Sequence, residues 1–267
     1  MRIGIPTLVE YDSVKENAEL CKKYGLDFIE LNMDLPYCYP ENLDLKSIRE
    51  EYNLDFTIHL SEKIDVADSY CPVRKFNLNL IKQFIDWGEI NGIKKYNVHL
   101  DRGVYFTLSK KKLYIYEKYK EKYEKDINDS FKELSDYAVK NDVYICFENT
   151  KMTDYIMRSF KELANYPNLC CTLDVGHDAK NGNYANELFL NNPTLKHMHL
   201  HDYNGTKNHE ELGTGTVDIG YYLNYCLEHD LDVVIEVKEV PELESSIKYI
   251  KDVCKIEKIG ESGWKKN

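Results

Sequence analysis

The chain has 267 residues, 43% hydrophobic and 30% charged, with 13 glycines and 7 prolines; this excludes a disordered or fibrous protein and is ample for a sizeable core. Lysine and arginine total 35 against 46 aspartates and glutamates, a formal net charge of −11, which argues against a protein that grips nucleic acid by broad phosphate neutralisation. No apolar run approaches membrane-spanning length, the opening MRIGIPTLVEY lacks the apolar core of a signal peptide, and eight scattered cysteines without a CxxC read as reduced thiols, so a cytoplasmic protein is expected.

Eight short apolar, β-branched runs follow one another at residues 2–8, 27–33, 54–60, 94–100, 143–148, 169–174, 195–202 and 231–237. Each precedes a stretch with helical periodicity, at 13–24, 45–52, 73–91, 110–140, 159–164, 184–190, 219–228 and 242–254. Eightfold βα alternation without a linker predicts an α/β protein, a single (β/α)8 TIM barrel over residues 1–257, with a doubly wound sheet as the alternative. The fourth helical stretch opens KKKLYIYEKYKEKYEK and reads as a long solvated helix laced with ion pairs rather than a basic aromatic patch. Residues 258–267, KIGESGWKKN, read as a polar, loose tail.

In such a barrel the active site lies at the carboxyl ends of the strands. There the third and fourth runs place His59 and His99, the fifth Glu148, the sixth Asp174 followed by His177, and the eighth Glu236. The seventh reads His197-Met198-His199-Leu200-His201-Asp202, and alternation puts its three histidines on one face of a strand. With His209 beyond them, they point to a metal site; the competing reading is a polar strand end with ordinary hydrogen-bonded histidines. Unpaired acids and imidazoles gathered in one cavity are costly, and a divalent cation is the simplest way to satisfy them. Such mixed ligands suit Zn²⁺, Mn²⁺, Co²⁺, Fe²⁺ or Mg²⁺. Arg102, just after His99, is a candidate anion contact. Lys207, in the loop 203–208, is a candidate contact to a substrate phosphate or carboxylate, with a solvated turn as its competing reading. Trp87 reads as packing, and Trp264 carries no assignable role. Neither GxGxxG, GxxxxGK[ST] nor GxSxG occurs, so no nucleotide cofactor and no serine hydrolase are expected.

Glu148-Asn149, the Asp174-Val175-Gly176-His177 block, the His199-Leu200-His201-Asp202 block with Gly213-Thr214-Gly215 after it, and Glu236 together resemble the xylose isomerase-like barrel superfamily. The superfamily includes sugar isomerases and epimerases and the endonuclease IV type of apurinic-site nuclease, and the resemblance spans essentially the whole chain. Likeness to the epimerases implies one divalent metal on Glu148, Asp174, His199 and Glu236. It also implies proton transfer beside the carbonyl of a sugar or sugar phosphate by Glu148 and Glu236, and substrate contacts from His59, His99, His177 and His201. Likeness to the nuclease implies three metals: one on His59, His99 and Glu148, one on the four ligands above, and one on His177 and His209. The chain departs from the nuclease at Lys207, where an aspartate is expected and a protonated lysine cannot bind a metal. The epimerase or isomerase reading therefore leads. A phosphodiesterase stands second and a non-catalytic small-ligand barrel third; a homo-oligomer is compatible with each.

Overall fold

Runs such as Phe28–Asn32 and Leu169–Asp174 are buried almost from end to end, because helices cover one face of a parallel sheet while side chains fill the other. The computed structural model describes residues 1–100, 102–258 and 263–266. Its strands in chain order are β1 (Arg2–Pro6), β2 (Phe28–Asn32), β3 (Asp55–His59), β4 (Lys95–Leu100), β5 (Tyr105–Thr107), β6 (Lys112–Tyr114), β7 (Tyr144–Asn149), β8 (Leu169–Asp174), β9 (Leu195–Leu200), β10 (Asp232–Ile235), β11 (Ile256–Lys258) and β12 (Trp264–Lys266). All but β5, β6, β11 and β12 form a closed eight-stranded barrel in the order β1-β2-β3-β4-β7-β8-β9-β10, with β10 pairing back to β1. Every neighbouring pair is parallel. All eight runs predicted from the sequence are barrel strands, and the doubly wound alternative is excluded by closure.

The covering helices are α1 (Val14–Tyr24), α2 (Leu45–Tyr52), α3 (Cys71–Ile90), α4 (Ile115–Lys118), α5 (Lys120–Lys140), α6 (Asp154–Glu162), α7 (Val175–Asn181), α8 (Tyr184–Phe189), α9 (Ile219–His229) and α10 (Val240–Asp252). Their ends carry local signals. Ser13 caps α1 by accepting from the Glu16 N–H while its hydroxyl donates to the Glu16 carboxylate at 2.7 Å, and Gly25 closes the helix at φ 72°. All eight cysteines are free, six of them buried. Among the described residues, no helix is long and apolar enough to cross a membrane.

Three expectations need correction. The predicted helix over 110–140 starts only at Ile115, because Lys112–Tyr114 pairs antiparallel with Tyr105–Thr107. The facing rings of Tyr105 and Tyr114, 5.4 Å apart, are the cross-strand pair that overrides local helical propensity. The remainder is helical with the expected ion pairs, Lys122–Asp126 and Lys125–Asp129 at 2.5 Å, but it is solvated on one face only, since Tyr123, Asp126, Ile127, Phe131 and Leu134 are buried against the barrel. Second, a short helix, α7, grows directly out of β8, since Asp174 ends the strand and also caps the helix by accepting from the His177 N–H at 2.6 Å. Third, the C-terminal segment is not loose where it is described. β11 and β12 form an antiparallel hairpin, Trp264 is 2% exposed, and its Nε1 donates to Asp27 Oδ2 at 3.0 Å. A buried indole with a partner for its N–H is a strong anchor. Residues 259–262 and 267 lie outside the described residues.

The amino-terminal end of the barrel is tied by charge. Asp232 at the start of β10 accepts from Arg2 Nε at 2.8 Å and Nη2 at 2.7 Å, and from Lys95 Nζ at 2.6 Å, linking β1, β10 and β4. Burial opposes this carboxylate's charge, but the hydrogen bond from Arg2 and the Lys95 ammonium hold its pKa well below the ordinary range. A depressed carboxyl pKa contributes stability that is fully present above the unfolded value, roughly 3.9, and is lost as pH falls below it. Replacing Asp232 by Ala leaves Lys95, 13% exposed, without its carboxylate and with only the Lys196 carbonyl as acceptor, and should cost about 2 kcal/mol at neutral pH. Urea unfolding measures this, and the difference from wild type should shrink as the pH is lowered through the acid range.

Candidate active site

Parallel register sets polar side chains level with one another at the carboxyl end. His99 of β4 aligns with Glu148 of β7, and Asp174 of β8 aligns with His199 of β9. One potential ligand atom from each of Glu148, Asp174, His199 and Glu236 lies within 4.8 Å of all the others, although the four come from separate elements spread over some 90 residues of chain. His199 sits at the centre. Its Nδ1 is 3.2 Å from Glu148 Oε2 and 3.1 Å from Glu236 Oε2, yet neither this nitrogen nor Glu236 Oε2 makes a hydrogen bond. The distances are short enough, but the oxygens lie off the direction a ring N–H would take. A proton on Nδ1 could serve only one oxygen; a divalent cation serves all of them. The donor set and its unsatisfied buried atoms therefore fit a metal ion.

Below this group lies a residue that the sequence reading did not single out. Glu30, in the middle of β2 and 1% exposed, places Oε1 2.9 Å from His199 Nε2 and Oε2 2.9 Å from His197 Nε2, and Thr57 donates to Oε2 at 3.2 Å. Glu30 and His197 Nε2 are hydrogen-bonded, whereas His199 Nε2 faces Glu30 Oε1 as an ion-pair contact without a hydrogen bond; a carboxylate at that distance behind an imidazole favours the ring orientation that turns the far nitrogen toward a ligand. An acid inside an otherwise apolar strand was the available signal. Asn97 supports Glu148 in the same way: its Nδ2 donates to Glu148 Oε2, and its Oδ1 accepts from Thr172 at 2.6 Å.

The three histidines of β9 and its end do share one face, and they divide its work. His197 lies deepest, on Glu30. His199 joins the four-residue group. His201 is fully buried, with Nε2 2.9 Å from Asp174 Oδ1 and Nδ1 accepting the His209 N–H at 3.0 Å. That last bond holds His209 in the left-handed region at φ 57°, a costly conformation kept where surrounding structure over-determines it. Two further groups form from residues named on the sequence: His59, His99 and Glu148, and His177, His201 and His209. A cavity of about 270 Å³ opens over them, lined by His59, His99, His177, His209, Glu236 and Glu62. Lys238 also lines it and reaches Glu236 Oε1 at 2.9 Å; the sequence reading missed this lysine. Arg102 and Lys207 are not brought to the cavity. Arg102 stacks on the Tyr114 ring, 4.1 Å from its centroid, and Lys207 is exposed and paired with Glu210 at 3.1 Å. Asp202 organises the following loop, accepting from the N–H groups of Gly213, Gly215 and Val217.

Burial works against the charged forms of Glu148, Glu236, His99 and His209, and the mutual field overrides it in the first three. Glu148 is held well below the ordinary carboxylate range by His199 and His99, and Glu236 by Lys238 and His199. His99 is lifted to about 9 by Glu148. His209 is the exception, pushed down to about 4 by burial. Against its burial, His199 is likewise raised well above the ordinary imidazole range by Glu148, Glu30 and Glu236; a cation requires these histidines neutral, so its binding displaces their protons and takes over the compensating positive charge.

Gly176 allows the close approach of His201: a Cβ there would lie 2.0 Å from the His201 ring. Gly176→Ala should therefore dislodge His201 from Asp174 and cost about 1–3 kcal/mol, read as a lowered midpoint in thermal unfolding.

The family model of the xylose isomerase-like TIM barrel matches residues 18–253. Among solved structures, a D-tagatose 3-epimerase-like protein superposes with a TM-score of 0.77 at 22% identity, covering 94% of this chain and 96% of its own. The 3-keto-D-glucoside 4-epimerase YcjR of E. coli gives 0.73 at 17% identity, covering 94% and 97%. The IolI protein, solved with a bound zinc atom, gives 0.72 at 20% identity, covering 95% and 98%. At such identities the likeness speaks to the fold. No curated protein sequence matches this chain significantly. Closed barrel, strand-end acids and the match over residues 18–253 agree: the chain belongs to the xylose isomerase-like TIM barrel family.

Proposed function

We propose that the protein is a divalent-metal-dependent sugar epimerase or isomerase that moves a proton on the carbon beside a carbonyl. The observation carrying this is the convergence of Glu148, Asp174, His199 and Glu236 within 4.8 Å, with unsatisfied buried atoms on His199 and Glu236. That the structural neighbours include sugar epimerases and a zinc-bound protein supports the same reading.

Glu148, Asp174, His199 and Glu236 would hold the ion. When bound, it supplies Lewis-acid polarisation of the carbonyl and charge stabilisation for the enediolate. Glu148 and Glu236 belong to β7 and to the segment just after β10, with β8 and β9 between them in the barrel. Approaching from these separate elements, one would remove the proton from the substrate carbon and the other return it. Lys238 holds Oε1 of Glu236 and keeps that carboxylate ionised to accept a proton. His177, His59 and His99, all lining the cavity, bind hydroxyls and orient the sugar.

A phosphodiesterase is the second reading, favoured by the further groupings His59–His99–Glu148 and His177–His201–His209, which have room for additional ions. Stoichiometry separates the two. One ion per chain by mass spectrometry of the native metal-loaded protein fits proton transfer, whereas three ions with incision of an abasic-site duplex would replace it. In D2O, the zinc- or manganese-loaded protein should incorporate deuterium beside the carbonyl of at least one ketohexose or keto-glucoside, and Glu236→Gln should reduce that exchange by at least a thousandfold while retaining the fold. Exchange undiminished in Glu236→Gln would remove Glu236 from the chemistry. Glu30→Gln should weaken zinc binding by about 10–100-fold in a chelator competition; an unchanged affinity would separate Glu30 from the metal group.

A further inference from the structure

The metal cavity does not end at its own rim. A second cavity of about 410 Å³ adjoins it and shares two residues of its wall, His99 and Glu62, the remainder including Ile64, Asp65, Val104 and Tyr105. One side of this outer space is the loop after β3 and the other is the base of the β5–β6 hairpin. The two sides are fastened together, since the Tyr116 hydroxyl donates to Asp65 Oδ2. Gly103 brings the chain against Tyr116 at φ 71°, where any Cβ would lie 2.6 Å from that ring, and this directs Val104 and Tyr105 outward.

The hairpin is braced rather than loose. The Ile115 N–H donates to Val104 O at 3.0 Å, Tyr105 packs against Tyr114, and the Lys112 ammonium lies 4.1 Å from the Tyr105 ring centroid. Even so, Val104 is 71% and Tyr105 46% exposed, an apolar rim kept in water beside the chemistry. The exposed part of the Tyr105 ring and the Val104 side chain give an apolar surface for the C–H groups of a sugar ring, and the exposed Glu62 carboxylate beside them gives acceptors for its hydroxyls. The inner cavity, at about 270 Å³, is slightly smaller than the usual small-molecule pocket of about 300–1,000 Å³, so a ligand larger than one sugar ring would extend into the outer space.

We propose that the outer cavity is a second glycosyl subsite and that the substrate is a glycoside or short oligosaccharide, reacting in the inner cavity while its second ring rests on Tyr105. This rests on the sugar-directed reading of the inner site. A second subsite adds binding energy remote from the reacting carbon, which an enzyme can use to orient the first ring.

The test is ligand binding to the metal-loaded protein, which requires no turnover. Glucose is compared with a panel of α- and β-linked glucose disaccharides by saturation-transfer NMR and calorimetry. At least one disaccharide should bind tenfold or more tightly than glucose, and Tyr105→Ala should erase that advantage. Val104→Asp, at a more exposed position, should erase it too and guards against a folding defect in the first variant. Equal affinity for glucose and every disaccharide, or an advantage that survives both substitutions, would overturn the proposal. Such a failure leaves deuterium exchange into single-ring sugars untouched, whereas loss of that exchange with the disaccharide preference intact would count against the proton-transfer reading alone.

Discussion

The structure is organised by one electrostatic constraint: three carboxylates and an imidazole crowd together where little water can reach them. Asp174 and His199 are fully buried and Glu148 is 1% exposed, so their charges cannot be solvated and must be satisfied by protein or by an ion. His199 takes the strain, with Glu30 on one nitrogen and the Glu148 and Glu236 oxygens around the other. A closed barrel is what makes such crowding affordable, because eight strands in fixed parallel register deliver these residues to one level on a framework held by the rest of the core. The supporting residues Glu30, Asn97, Thr57 and Thr172 lie on β2, β4, β3 and β8, so most of the sheet contributes to holding the group in place.

The two ends of the barrel divide their labour. At the amino-terminal end, Arg2, Lys95 and Asp232 join three strands in a satisfied ionic cluster, and Asp27 receives both Lys258 and Trp264, which seals the terminal hairpin to the barrel. These charges are paired within the protein and need nothing further. At the carboxyl end several are not. Atoms on His177, His199 and Glu236 stay without hydrogen bonds, an arrangement that lowers stability and is kept where a ligand completes it.

Much of this was legible from the sequence, and for a definite reason. The barrel strands are apolar, β-branched and separated by helical periodicity, so local composition and fold agree. The strand-end acids and histidines were legible because the fold predicts where such residues meet. What escaped were contacts made across the chain. Glu30 looks like one polar residue in an apolar run until β9 is seen to lie behind it, and Lys238 acquires meaning only from its distance to Glu236. The β5–β6 hairpin was hidden by the lysine- and tyrosine-rich stretch that follows, whose helical periodicity extends backwards into Lys112–Tyr114. Trp264 looked unassignable because its partner, Asp27, is more than 200 residues away. His201, offered for substrate contact by likeness to the epimerases, is enclosed against Asp174, and Arg102, offered by its place after a strand end, stacks on Tyr114.

The central claim is that residues from four places in the barrel share a single cation, and locating that cation tests it most directly. In crystals of the zinc-loaded protein, an anomalous difference map at the zinc edge should show its dominant peak about 2.0–2.2 Å from Nδ1 of His199 and from a carboxylate oxygen of each of Glu148, Asp174 and Glu236. A dominant peak on Glu30 and His197, or among His177, His201 and His209, or no peak at the barrel mouth, would contradict the account.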